Sequence, residues 1–553
     1  MTTNSKLLPH PLRRITAAPE FRQVLLYSLP ALALGVLLRA ILTARMPWGY
    51  VQYDTSEYLE TAFRLLKGGA FFVDGKRGFL VPIAFTLPFL LHIPALIAIP
   101  IGQHLLGLLG TLFTGGLVRL WFRAWRWFII PATLLFAANP MMLWYEQTIM
   151  GESEFLFALV LLAFAGTLWV ARQSPARFAG LIAALICAAG ARPEGKAYFA
   201  FGLLLVTLVL WKKWRPLAKS AAWIIAVAVA WSLIVRPSTA PQLLYASLIQ
   251  LAPDHSRLLP GVEPYIIPLR DQVRSDSGGD PQQLVKVSKR IRDCIDPYLW
   301  LTVRNKHAYY PALNRTLRDL CIDAILAHPI QAIAIPIGKF RVAADAWSAY
   351  QFNAQSLQKN QTDAYQSDPW LYQVLGRGLT GAPIDTPAAM RDFVQAHYSP
   401  ASVAWLGSLQ TLWNNSMIAL RTPDHPARHP RWVHDFAGGV PGGLQVMPGI
   451  PLLYPVALLA MLLAMALPSP SRRFHLAWVP IMLAVWYLAT LVGVTNARYR
   501  FAYEPFCLLY ILLLADFPVR HYSRTPVPVG PEDWTPSRAL KSRPPEAPQS
   551  PAP

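Results

Sequence analysis

The sequence predicts an all-α polytopic membrane protein of about ten transmembrane helices plus one re-entrant or membrane-packed segment, with a mainly helical extracytoplasmic insertion. Three observations predict it. Of the 553 residues, 54% are hydrophobic and only 14% charged, whereas roughly a quarter of a soluble domain is charged. Apolar runs of the length that crosses a bilayer recur along the chain. The Lys and Arg residues behind the formal charge of +20 sit mostly in short clusters between those runs. That is the pattern of membrane orientation, and it excludes a nucleic-acid surface as the reading of the charge.

The expected spans are 23–43, 101–119, 127–145, 153–171, 177–191, 196–211, 217–236, 449–467, 474–493 and 499–517. At 1.5 Å per residue, about 20 residues cross the ~30 Å apolar layer. No small-residue cleavage site follows the first run, so a signal peptide is not expected. Basic clusters fall at alternate connections: Arg13, Arg14 and Arg22; Arg119, Arg123 and Arg126; Arg172 and Arg177; Lys212, Lys213, Arg215 and Lys219; Arg472 and Arg473; Arg520 and Arg524. With residues 1–22 and the tail 518–553 both cytoplasmic, every cluster lies inside. The segment 79–95, with three prolines, would break that alternation if it crossed, and is therefore expected to be re-entrant or packed on the membrane. The tail is Pro-rich and polar, the composition of a disordered segment.

A transmembrane domain, 23–236, is thus followed by an outer insertion, 237–447, and by C-terminal helices over 448–517. Within the insertion, 311–328 reads as a helix with Pro311 in its first turn, and 386–397 as one opening at Thr386-Pro387. Segment 400–420, with Gln410, Asn414 and Asn415, reads as an interfacial helix. Cys294 and Cys321 share the insertion and would be placed to form a disulfide in an oxidising compartment. His425, His429 and His434 are interrupted by prolines and read as a solvated loop, giving no metal site. No P-loop, dinucleotide fingerprint, HExxH or GxSxG is present.

The first outer loop, 44–79, holds YVQYDTSEYLETAFRLLKGG. Residues 55–66 form an amphipathic pattern whose apolar side is Tyr58, Leu59, Ala62, Phe63, Leu65 and Leu66. Asp54 falls at its N-cap and Glu57 three residues on, a capping-box-like pair. Capping and chemistry are both open to Asp54. Other outer connections carry Glu146, Glu152 and Glu154; Arg192, Glu194 and Lys196; and Arg498, Tyr499, Arg500 and Glu504. Any one cation there can be a snorkelling side chain. Several on one face suit a bound phosphate, which Arg forks hold well. Carboxylates beside such an anion site suit transfer of a group from a lipid-linked phosphate, a carboxylate taking the proton of an acceptor hydroxyl.

The segments YDTSEYLETAFRLLKGG, QHLLGLLGTLFTGGLVRLWFR, NPMMLWYEQTIMGESEFLF, ARPEG and NARYRFAYEPF, in that order, resemble the GT-C superfamily of integral-membrane glycosyltransferases. The likeness is to the group of dolichyl-phosphate-mannose protein mannosyltransferases and lipid A aminoarabinose transferases. It covers most of the membrane-embedded chain and not the insertion. It implies a polyprenyl-phosphate sugar donor, a hydroxyl-bearing acceptor, inversion at the anomeric carbon, and Asp54 as catalytic base. The family often has Glu directly after this Asp, where this sequence has Thr55, with Glu57 and Tyr58 following as support. The resemblance also implies a further acid at Glu152 or Glu154, and a donor-phosphate contact at Lys76 or Arg77. Arg192, Arg498 and Arg500 complete the phosphate-binding set it suggests. It leaves a divalent metal open. The expectation is a glycosyltransferase of a bacterial inner membrane, its site facing the periplasm and in contact with membrane lipid. The alternatives are a transporter or lipid-linked-sugar flippase, and a non-catalytic scaffold. No internal repeat of the kind many transporters carry is visible.

Overall fold

The computed structural model describes residues 19–51, 55–66, 78–234, 240–275, 283–302, 306–333, 386–398, 453–492 and 502–522, with a few single residues between 335 and 412. All named elements among the described residues are helices. The first part runs α1 Pro19–Arg45, α2 Thr55–Leu66, α3 Leu80–Leu90, α4 Ala95–Trp121, α5 Trp125–Ala137, α6 Pro140–Gln147, α7 Glu152–Ala171, α8 Pro175–Ala191, a 3-10 turn Pro193–Ala197, α9 Tyr198–Leu210 and α10 Trp214–Ile234. The insertion contributes α11 Ala240–Leu248, α12 Glu263–Ser275, α13 Gln283–Thr302, α14 Lys306–Ala327 and α15 Pro387–His397. The chain closes with α16 Leu453–Ala466, α17 Arg472–Val492 and α18 Glu504–Tyr522.

Among the described residues, five stretches are long and apolar enough to cross a membrane: α1, α4, α7, Pro193–Leu210 and α10. The pair α5 and α6 makes a sixth if its 42° break is one span. That break has a local cause. Pro140 has no N–H to donate, and the Asn139 side chain instead accepts from the backbone N–H groups of Met141 and Met142 at 2.9 and 3.3 Å. Helices α8 and α16 are apolar but, at 17 and 14 described residues, shorter than those five stretches. Helix α3, within 79–95, has 11 residues and, at about 16 Å, falls short of a crossing.

Contacts define two ends of the bundle. At one end, Asp516 is fully buried and accepts from the backbone N–H groups of Arg123 and Ala124 at 2.9 Å each, closing the start of α5. His475 bridges Ser471 and Tyr510 there, edge-on to Trp121. At the opposite end, which carries the flanks of the first loop, Gly49 N–H reaches Leu96 O at 2.6 Å, and Phe79 packs on Trp231 with ring centroids 4.7 Å apart. The flanks of α3 therefore both lie at this first-loop end.

Two hydrophobic cores follow. The larger joins α1–α10 with α16–α18, and a smaller one lies among α11–α14. Helix α15 belongs with the larger: Val394 and Tyr398 are buried in it, and Phe393 and His397 flank Trp48 at centroid distances of 5.0 and 4.7 Å. Its start is as the sequence reads, Thr386 Oγ1 accepting from Ala389 N–H at 3.1 Å ahead of Pro387.

Three expectations are corrected. Helix α14 begins at Lys306, so Pro311 lies inside it and not in its first turn. The last helix runs to Tyr522, which takes the first residues expected in the tail. Cys294 and Cys321 are free. Cys321 is turned into the smaller core, where burial pushes its thiol up to about 12 and leaves it unreactive. The histidines 425, 429 and 434, and Gln410, Asn414 and Asn415 of the expected interfacial helix, lie outside the described residues.

Candidate functional site

The first loop is fixed to the bundle at both of its described flanks. On entry, Tyr50 N–H donates to Gln147 O at 2.8 Å and Ile149 N–H donates to Tyr50 O at 2.9 Å. Thr55 then donates its hydroxyl to Ile149 O at 2.8 Å, which sets the N-terminus of α2 against the turn before α7. The amphipathic expectation for 55–66 holds: Tyr58, Leu59 and Ala62 are buried, Glu57 is half-buried, and the Tyr58 hydroxyl lies against Gly151. On exit, Gly78 lies so close to the next connection that a Cβ would sit 2.2 Å from Gly190 O, which only glycine avoids. Asp54, Lys76, Arg77, Arg498 and Arg500 lie outside the described residues. Their described neighbours are Thr55 on Ile149, Gly78 on Gly190–Ala191, and Ala502–Tyr503.

Between those flanks stand the acids of α7. Two residues apart on a helix means about 200° of rotation, so Glu152 and Glu154 address different neighbours. Glu152, buried, receives the Arg192 Nη1 donor at 2.6 Å, while Arg192 Nε lies 2.6 Å from Glu194 Oε1. One guanidinium between two carboxylates leaves the trio a net negative charge. Arg192 therefore has less to offer a phosphate than a lone Arg fork. Glu154 instead meets a neutral partner, Gln103 Nε2, at 3.1 and 3.3 Å, the same nitrogen donating to Met150 O at 2.7 Å. Among the described residues Glu154 has no cation partner.

Helix α18 completes this face. Glu504, buried, accepts from the Tyr454 hydroxyl at 2.9 Å, and Tyr503 stacks on Trp486 at 5.2 Å between centroids. Tyr503 is near enough to Arg192 and Glu194 to feel their charges, and is buried beside Tyr198. The structure thus gathers Glu57, Tyr58, Glu152, Glu154, Arg192 and Glu504 at the first-loop end. Among the described residues, no group of three or more His, Cys, Asp or Glu is placed to hold a metal ion.

Sequence reasoning grouped Glu146 with these acids. The structure turns it inward. Arg39 grips it through two bonds, Nε to Oε2 at 2.7 Å and Nη2 to Oε1 at 2.6 Å, and His104 Nδ1 adds a third contact at 2.8 Å. His104 Nε2 faces Gln147 Oε1 at 3.2 Å, and Gln147 in turn donates to Met46 O and Trp48 O. Gly107 is required here, because a Cβ would fall 1.8 Å from Glu146 Oε1. Arg39 and His104 were missed, although an arginine inside the first apolar run was a signal in plain view.

No family model matches the chain, and no curated protein does. Among solved structures, the crystal structure of ArnT from Cupriavidus metallidurans bound to undecaprenyl phosphate is similar at 14% identity, covering 88% of this chain and 77% of that one, with a TM-score of 0.29. A likeness of that degree transfers no residue role.

Proposed function

We propose that this protein is a membrane glycosyltransferase that moves a sugar from a polyprenyl-phosphate donor to an acceptor hydroxyl at the first-loop end of the bundle. The observation that carries the reading is the convergence there of both flanks of the first loop with Glu152, Glu154, Arg192 and Glu504, at the edge of an apolar helical bundle. A lipid-linked phosphate partitions to that edge, with its chain among the helices and its charged group at the surface.

In this mechanism Asp54 takes the proton of the acceptor hydroxyl as its oxygen attacks the anomeric carbon. The bond from that carbon to the phosphate oxygen breaks, with inversion, and polyprenyl phosphate departs. A phosphate monoester leaves without a general acid. Lys76 or Arg77, with Arg498 and Arg500, stabilise the phosphate as its charge grows. Arg192 has a positioning role, holding Glu152 and Glu194. Glu154, with no cation partner among the described residues, orients the acceptor hydroxyl towards the base. Glu57 and Tyr58 fix the helix that begins just after Asp54. The site faces the periplasm of a bacterial inner membrane.

Asn caps a helix about as well as Asp, so Asp54→Asn spares a capping role and removes the base. In a strain lacking the native gene, the variant is expected at wild-type membrane yield and thermal stability, with the gene-dependent surface glycoconjugate lost. An unchanged glycoconjugate at normal yield would make Asp54 a cap alone and refute the base assignment.

A further inference from the structure

Helix α14 is apolar on two faces in its C-terminal half. One face, Leu313, Leu317, Leu320, Cys321 and Ala324, packs into the smaller core. On another, Ile322, Ile325 and Leu326 follow at helical spacing, and Ile330 and Ile333 continue the row through the short helical turn after His328. These five are between 39% and 61% exposed. Towards the N-terminus the same row turns polar, with exposed Arg318 and Arg315 one and two turns before Ile322.

The row does not end in open solvent. Ile333 O accepts from the Tyr487 hydroxyl of α17 at 3.2 Å. Tyr487 lies about 22 Å along α17 from Arg472, well into the ~30 Å thickness of an apolar layer. Its neighbour Leu488 is 49% exposed on the outer surface of the bundle. The exposed row of α14 therefore ends against α17, beside the exposed surface of that helix, and it grows apolar in the direction of that contact.

We propose that Ile322, Ile325, Leu326, Ile330 and Ile333 form a monotopic membrane contact, lying among the acyl chains of the leaflet at the first-loop end with Arg315 and Arg318 at the level of the lipid phosphates. Cations at that level and apolar side chains below it are the arrangement of interfacial helices. The contact seats the smaller core of the insertion on the same leaflet that the first loop overlies. It rests on the membrane-spanning character of the bundle and stands whether or not the protein transfers sugar.

Spin labels test it in the full chain, reconstituted in nanodiscs of phosphatidylethanolamine and phosphatidylglycerol. Labels are placed singly through Arg315→Cys, Leu326→Cys, Ile330→Cys and Leu488→Cys, in a background carrying Cys187→Ala and Cys294→Ala. Collision with oxygen reports lipid, and collision with a water-soluble nickel chelate reports solvent. The expected result is an oxygen-favoured ratio at Leu326 and Ile330 that matches the Leu488 reference, shifting to nickel-favoured at Arg315. A nickel-favoured ratio at Leu326 and Ile330 would place the row in water and overturn the proposal. Poor access to both reagents there would also overturn it, by showing that protein covers the row.

Discussion

Among the described residues the bundle holds two buried arginine–carboxylate clusters near the same end, and they are built differently. Around Glu146, Arg39 and His104 occupy the carboxylate through three contacts, all three residues are buried, and Gln147 ties the cluster to the backbone of Met46 and Trp48. Around Arg192, the order is reversed: one cation is shared by two carboxylates, and Glu194 is 19% exposed. The first cluster is closed and ties α1, α4 and α6 together behind the loop. The second opens towards the first loop and the start of α18. Ionisable groups at membrane depth are functional candidates by default, yet here geometry separates a scaffold from a candidate site.

The largest expected effect breaks the closed cluster. Glu146→Ala leaves Arg39 buried without its carboxylate, and loss of one partner of a buried pair costs about 3–5 kcal/mol. Thermal unfolding in detergent should show a large drop, and Gly107→Ala, which drives a Cβ into Glu146, should behave alike. A wild-type melting curve for both would make the cluster incidental. Glu154→Gln sharpens the contrast from the other side. Its only described side-chain bonds are to the neutral Gln103 and a long one to Ser153, so stability should hardly move. Transfer should fall about 10-fold or more, short of the roughly 100-fold or more that a general acid or base contributes, because Glu154 only orients the acceptor, and equal rates would remove Glu154 from the site.

Smaller effects probe how the loop is seated. Tyr398→Phe deletes the buried bond to Gly49 O, 2.7 Å long, and should cost about 1 kcal/mol in a melting experiment. Because Gly49 precedes the loop, activity should fall with stability, and an effect on neither would show that α15 does not brace it. Last comes the insertion's surface. Arg270, 2.7 Å away, holds the Asp254 carboxyl below its ordinary range. A lowered carboxylate stabilises the fold above its unfolded-state value and loses that contribution as pH falls through the lowered one. Asp254→Asn should therefore lower stability slightly at neutral pH and leave it unchanged in acid, flattening the acid limb of a stability–pH curve; the effect is small because the Asp254 carboxylate is exposed.

Much of the architecture was legible because it is local. Hydropathy marks the long helices, α2 shows its apolar stripe, and Thr386-Pro387 announces α15. The expected span 127–145 instead runs across Asn139-Pro140, where α5 breaks from α6, a turn signal hidden inside an apolar run that the expectation passes over. What sequence could not give is pairing across distance. Arg39 and Glu146 stand 107 positions apart, and nothing local says that Glu146 faces inward while Glu154 faces Gln103. The separation of Glu152 from Glu154 is local in origin, a matter of helical rotation, but which neighbour each meets depends on how α4 and α8 pack against α7. The free cysteines teach the same point, since sharing a polar region says nothing about which way Cys321 turns.

The most direct measurement incubates the detergent-purified protein with a radiolabelled polyprenyl-phosphate sugar and a glycolipid extract of the host membrane. The glycosyltransferase account predicts a labelled covalent product and release of polyprenyl phosphate, both abolished by Asp54→Asn. Labelled donor recovered intact, together with protein-dependent movement of that donor across a reconstituted bilayer, would contradict it and make the protein a flippase.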